Sequence, residues 1–276
     1  MFSTIVQPSI VSLFSSTNTD PLALFEVHTD PSLPADSFVH LLHDRSSQPP
    51  LPPPAIPILP PPLFGNEDDG ETGPANSGSL HQTVLHIQSP TLRTTYIECP
   101  RDSQSLKQTA PGGQFGSLDL KHPWVHIQVR DMGREWSFEI GVVDQAGRSG
   151  IIRLSTFQKQ PHLKLSQRPG SLPLLHLPLS FPAQSTHRLT AWSTIAINLP
   201  SLLPYFSSLQ PTAHEHNPHE ANLSNPVPLP GGIYSHVSYI RVYATCRLKR
   251  VWFSNFGPNH LSHEIPWEFK LYGASG

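Results

Sequence analysis

Three imidazoles and a carboxylate fall within six residues at His214, Glu215, His216 and His219, a density that suits a transition-metal ion. Zincins, however, use His-Glu-x-x-His on one face of a helix. Here Pro218 interrupts the run and no helical pattern surrounds it. A closed zinc site needs its ligands held in tetrahedral geometry, so the cluster is read as loop composition, and no metal or other cofactor is expected. Glu135 and Glu139 form a second candidate pair. On a strand they lie about 13 Å apart at about 3.3 Å per residue, wider than the roughly 5–9.5 Å at which paired carboxylates cleave glycosides. Ser149 sits in Gly-Arg-Ser-Gly and lacks the Gly-x-Ser-x-Gly elbow of a hydrolase nucleophile. The Gly-Gly pairs after Pro111 and Pro230 punctuate loops. No catalytic set emerges, and an enzyme is not expected.

The remaining concentration of chemistry is YIRVYATCRLKRVWFS, Tyr239 to Ser254. It carries Arg241, Arg247, Lys249 and Arg250, and no Asp or Glu occurs between Glu220 and His263. The chain as a whole has a formal net charge of −2, so an electrostatic partner must be sought locally. Side chains alternate across a strand. A single long strand from Val237 to about Phe253 would turn Ile240, Val242, Ala244, Cys246 and Leu248 inward. It would turn Tyr239, Arg241, Tyr243, Thr245, Arg247 and Lys249 outward, with the pattern breaking at a bulge near Arg250. Cations on an edge strand can serve only to prevent aggregation, but that needs no tyrosines in register. Arginine and tyrosine are favoured in interface cores, so Tyr239, Arg241, Tyr243, Arg247, Lys249 and Arg250 are expected to form a docking face for an acidic partner. Tyr239 and Tyr243 could stack on a glycan, although sugar sites rarely need three cations beside them, and stacking combined with cations suits nucleic acid; these are the alternatives.

The elements that must position this face are strands. Val125, Ile127 and Val129 alternate with His126, Gln128 and Arg130; Trp136, Phe138, Ile140 and Val142 alternate with Glu135, Ser137 and Glu139. After a second turn, Asp-Gln-Ala-Gly-Arg, come Ile152, Leu154 and Thr156. This period of two with glycine-bearing turns predicts a three-strand meander. Further strands are expected at Thr83–Gln88, Leu92–Cys99 and Trp192–Leu199, and short helical turns at Ile10–Phe14 and Pro200–Phe206. The expected fold is all-β, a jelly-roll-like antiparallel β-sandwich forming one domain over 1–276, with Trp136, Phe138 and Trp192 in its core.

Three stretches read as insertions, at about 28–79, 158–189 and 209–232. The first contains nine prolines in the fourteen residues from Pro49 to Pro62, which favours extended polyproline II and no packed core. The second mixes leucines with five prolines and has room for a short edge strand. Cys99 and Cys246 make no disulfide framework and are expected as buried free thiols. The N-terminus lacks a basic region and is broken by Pro8, a poor signal peptide. No apolar run approaches the roughly 20 residues that span a bilayer. An intracellular, soluble protein is expected.

The basic strand, together with EIPWEFKLY (Glu264 to Tyr272), resembles the cilia- and flagella-associated protein 20 family. The N-terminal MFSTIVQPSIVSLFSS, TTYIECP (Thr94 to Pro100), FEIGVVDQAGRSGIIRLSTFQ and WSTIAINL (Trp192 to Leu199) follow in the family's order. The resemblance implies a non-catalytic β-sandwich in the microtubule scaffold of the cilium or flagellum. There it would lie at the axonemal inner junction, where the B-tubule closes on the A-tubule, against tubulin and a neighbouring parkin co-regulated protein. Relatives occur at centrioles and basal bodies. Arg241, Arg247, Lys249 and Arg250 match basic positions of the family's strand; Lys249 replaces an arginine, keeping charge but losing bidentate geometry. The acidic surface of tubulin would complement them. The insertions depart from the compact family pattern, which leaves room for a relative working outside an axoneme, including in the nucleus.

Overall fold

The structure is a computed structural model and describes residues 6–50, 82–101, 117–165, 170–181, 192–209, 228–258, 266 and 269–271. Its strands are β1 (Ile10–Ser15), β2 (Glu26–His28), β3 (Phe38–His43), β4 (Thr83–Gln88), β5 (Tyr96–Cys99), β6 (Trp124–Asp131) and β7 (Ser137–Asp144). They continue with β8 (Ser149–Ser155), β9 (His162–Lys164), β10 (Leu174–Pro178), β11 (Trp192–Asn198), β12 (Tyr234–Tyr243) and β13 (Cys246–Ser254). A 3-10 turn at Pro200–Leu202 leads into the single-turn helix α1 (Tyr205–Ser208). The fold is all-β. One sheet has six strands in the order β11-β6-β13-β4-β3, with β1 on the remaining length of β13; the other has seven, β2-β5-β12-β7-β8-β10-β9. Every named pair is antiparallel except β10 with β8.

The core lies between the sheets. Leu85, Ile87, Val125, Ile127, Val129, Leu248, Val251 and Phe253 pack from one side against Ile97, Phe138, Ile140, Val142, Ile152, Ile240 and Val242 from the other. Burying each such side chain contributes about 1.5–3 kcal/mol. The expected inward set Ile240, Val242, Ala244, Cys246 and Leu248 is wholly buried, and Cys99 and Cys246 are buried free thiols.

Several expectations are corrected. The run Val237 to Phe253 is two strands in different sheets, joined at Ala244–Thr245. The segment 125–156 is likewise no three-strand meander: β6 belongs to the six-stranded sheet, whereas β7 and β8 pair in the other. The physical reason is the same in both. A strand that crosses the sandwich keeps its apolar residues pointing at the common interior, so period two reveals the buried face but not the sheet. Ile10–Phe14 is strand β1 on β13, not helix. Phe38–His43, placed within an insertion, is strand β3 on β4; 158–189, where the sequence has room for a short edge strand, contains the edge strand β9 and also β10. Trp192 is buried in a separate cluster with Leu42 and Val84. The imidazole cluster at 214–219 and the proline run beyond 50 lie outside the described residues.

Phe138 sits at the centre of the seven-stranded sheet, opposite Leu154 and Val242, and is 1% exposed. Phe138→Ala is expected to cost about 3–5 kcal/mol, read as a lowered urea midpoint at unchanged slope.

Candidate functional site

Both outer sheet faces carry polar residues on interior strands, and each places part of the expected docking set. On the seven-stranded sheet the register brings one titratable residue from every strand into a single cross-strand row. Glu26 of β2 lies opposite Glu98 of β5, then Arg241 of β12, Glu139 of β7, Arg153 of β8, His176 of β10 and His162 of β9. Arg241 Nη2 donates to Glu98 Oε1 at 2.9 Å, and Arg241 Nη1 to Glu139 Oε1 at 3.4 Å. Arg153 Nε donates to Glu139 Oε2 at 2.8 Å. Glu139 also accepts from Tyr239 Oη at 2.7 Å and Tyr243 Oη at 3.4 Å. Glu98 and Glu139 are each 1% exposed.

Tyrosine rings cover the row. The Arg241 guanidinium lies 4.9 Å from the Tyr239 ring centroid and 5.5 Å from that of Tyr96; Arg153 stands over Tyr243. Gly141 makes this cover fit, since a β-carbon there would meet the Tyr239 ring at 2.4 Å. Burial, and secondarily the Glu139 charge, holds the Tyr239 phenol well above its ordinary value and pushes Tyr243 up to about 12. Both remain protonated donors.

The six-stranded sheet holds Arg247, Lys249 and Arg250. Arg247 lies in a row with His40, His86, Arg130 and Trp192. Asp44, at the end of β3, gathers that row: its Oδ1 accepts from Arg247 Nη1 at 2.7 Å and Arg130 Nη1 at 3.1 Å, and its Oδ2 from Trp192 Nε1 at 2.8 Å. A cleft of about 470 Å³ beside Arg247 is bordered by Phe38, His40, His86 and Gln88. The register shift between Leu248 and Arg250 makes Lys249 a bulge, as the pattern predicted near Arg250. Beyond it the parity reverses, so Arg250, Trp252 and Ser254 share the outer face with Gln128, His126 and Trp124. Burial, reinforced by the neighbouring Arg250 charge, lowers the Lys249 amine to about 8.

The exposed cationic ladder is therefore corrected on two grounds. Its members split between opposite faces of the sandwich, and they are covered: Tyr243, Arg247, Lys249 and Arg250 are buried, and Tyr239 and Arg241 half-buried. Glu98, Glu139 and Asp44 supply the opposite charge from distant sequence. Nothing in the local stretch could reveal them; the only signal was a glutamate at an alternating position within each apolar strand. Glu135, expected on the same strand face as Glu139, lies outside β7 and serves through its carbonyl, which accepts from Thr245 N. Among the described residues no three His, Cys, Asp or Glu side chains group as metal ligands, and no helix is long and apolar enough to cross a membrane.

These features define a β-sandwich in which Glu98, Glu139 and Asp44 with Arg130, Arg153, Arg241 and Arg247 tie the strands of each sheet together. The CFA20 domain family matches residues 66–208, a little over half of the chain, and the chain belongs to that family. It is 24% identical over 194 residues to cilia- and flagella-associated protein 20 of Chlamydomonas reinhardtii, covering 70% of this chain and 75% of that protein. The proteins of the same name from Caenorhabditis briggsae and Caenorhabditis elegans are each 23% identical over 193 residues, covering 70% of this chain and 70% of each relative.

Glu139→Gln removes a buried carboxylate, leaving the half-buried Arg153 without its partner and Arg241 with Glu98 alone. It is expected to cost about 3–5 kcal/mol, measured by chemical unfolding. Acid has a separate effect. Burial lowers His126, stacked on Trp252, to about 4; burial and then the Arg153 charge lower His176 to about 4. Unfolded histidine titrates near about 6.5, so below that pH the unfolded chain takes up protons that the native state refuses. Their contribution is complete above about pH 6.5 and is lost as pH falls towards about 4. Melting temperature is expected to drop across that window, and less so in His126→Asn and His176→Asn.

Proposed function

We propose that this protein is a non-enzymatic structural component of a cilium or flagellum that attaches to microtubules. The observation that carries the reading is membership of the CFA20 family, with relatives of one name, cilia- and flagella-associated protein 20, aligned over 70% of the chain. The arrangement of charge supports a structural role over a catalytic one. Glu139 and Asp44 accept on both oxygens from arginines, tyrosines and an indole of the same chain, and Glu98 Oε1 is held by Arg241, so these carboxylates are engaged in internal contacts.

Arg241 and Arg247 are committed to internal carboxylates, so attachment does not run through them. Neighbours at a doublet junction, such as a parkin co-regulated protein, belong to the same reading. Glycan stacking is disfavoured because Tyr243 is 7% exposed and the Tyr239 hydroxyl is tied to Glu139. Nucleic-acid binding is disfavoured because Arg241 and Arg247 are neutralised internally and Lys249 and Arg250 are buried.

The test is co-sedimentation of the full chain with polymerised tubulin at low and physiological salt. Pelleting is expected, weakening as salt screens surface charge over about 8–10 Å. A chain that stays in the supernatant at both salts, and that is absent from axonemes when tagged in ciliated cells, sinks the reading. Arg241→Glu is expected to lose binding only together with cooperative unfolding.

A further inference from the structure

The outer face of the six-stranded sheet is occupied by a short piece of the chain itself. Phe269 and Leu271 are half-buried, with Lys270 exposed between them. The Phe269 ring lies beneath the Arg250 guanidinium, 4.9 Å from its centroid, and 5.3 Å from the Trp252 ring. Leu271 packs on Leu42, Val84 and Trp192, a small apolar cluster separate from the main core. Two buried side chains hold the main chain between these anchors: Gln128 Nε2 donates to Phe269 O at 2.7 Å, and Lys249 Nζ to Leu271 O at 3.3 Å. Gln128 is wholly buried, and among the described residues its Oε1 and the Trp252 Nε1 meet no hydrogen-bond partner.

This is the anatomy of a peptide-recognition groove: one aromatic slot, one aliphatic slot and fixed polar groups that read backbone. We propose that this face is a binding groove for a linear segment of another protein carrying an aromatic and, two residues later, an aliphatic side chain, and that Phe269–Leu271 is its resident ligand, displaced when such a partner binds. The groove recognises the segment by the Arg250–Trp252 slot, the Leu42–Val84–Trp192 slot, and the Gln128 and Lys249 donors. Internal contacts hold the resident segment at a high effective concentration, so a competitor meets only the open fraction of molecules and binds with correspondingly reduced apparent affinity. The inference does not rest on microtubule attachment.

The test is a fluorescent synthetic peptide spanning Pro266 to Gly273, titrated by anisotropy with the full-length wild type and with full-length Phe269→Ala/Leu271→Ala. Saturable binding to the double variant, at least about tenfold tighter than to wild type, with no binding of a control peptide bearing the same two alanines, is the expected result. A cooperatively melting double variant that does not bind, or that binds both peptides equally, overturns the proposal. So does a concentration-dependent wild-type dimer that disappears in the double variant, because the groove would then exchange segments between copies. If the double variant does not fold, amide exchange of the wild type decides: faster exchange at Phe269–Leu271 under excess peptide supports displacement, and unchanged exchange refutes it.

Discussion

One guanidinium held between two carboxylates organises the seven-stranded sheet. Arg241 bridges Glu98 on one neighbouring strand and Glu139 on the other, and Glu139 passes the interaction to Arg153 on the next. A buried ion is costly unless its partner and remaining hydrogen bonds are in place. Each member of the row thus fixes the register of the strand beside it, because a one-residue slip would send every side chain to the opposite face. The tyrosines follow from this constraint. They shield the row from water, and the Tyr239 and Tyr243 hydroxyls add further donors to Glu139.

The opposite sheet solves the same problem with a different residue. Asp44 ends its strand beside two arginines and an indole, joining β3, β6, β11 and β13. The two faces differ in what covers them. Tyrosines of the sheet itself close one, whereas Phe269 and Leu271, outside any strand, lie over part of the other. In this chain the apolar interior and the polar exteriors thus both take part in specifying strand order.

What the sequence made legible follows from what alternation encodes. The strands Thr83–Gln88 and Trp192–Asn198, the core set Ile240 to Leu248 and the bulge near Arg250 could all be read because neighbouring side chains on a strand report which face is buried. Sheet membership could not be read, since both sheets share one interior and a strand can leave the first and enter the second without altering its pattern. The fate of the cations was hidden for another reason. Arg241 and Arg247 look unopposed in a stretch without acids, yet their partners Glu98, Glu139 and Asp44 come from more than a hundred residues earlier in the chain. Local charge composition predicts a surface only when no distant strand supplies the opposite sign. The family resemblance, carried by several ordered blocks, was insensitive to this error.

β12 and β13 are consecutive, and each is hydrogen-bonded on both sides within its own sheet, β12 between β5 and β7, β13 between β6 and β4 with β1. The covalent step at Ala244–Thr245 therefore joins the middle of one layer to the middle of the other. A shearing load applied to either layer is carried through a main-chain link and flanking hydrogen-bond ladders, instead of through apolar contacts that slide. A pull on one layer is thereby passed to the other along covalent bonds.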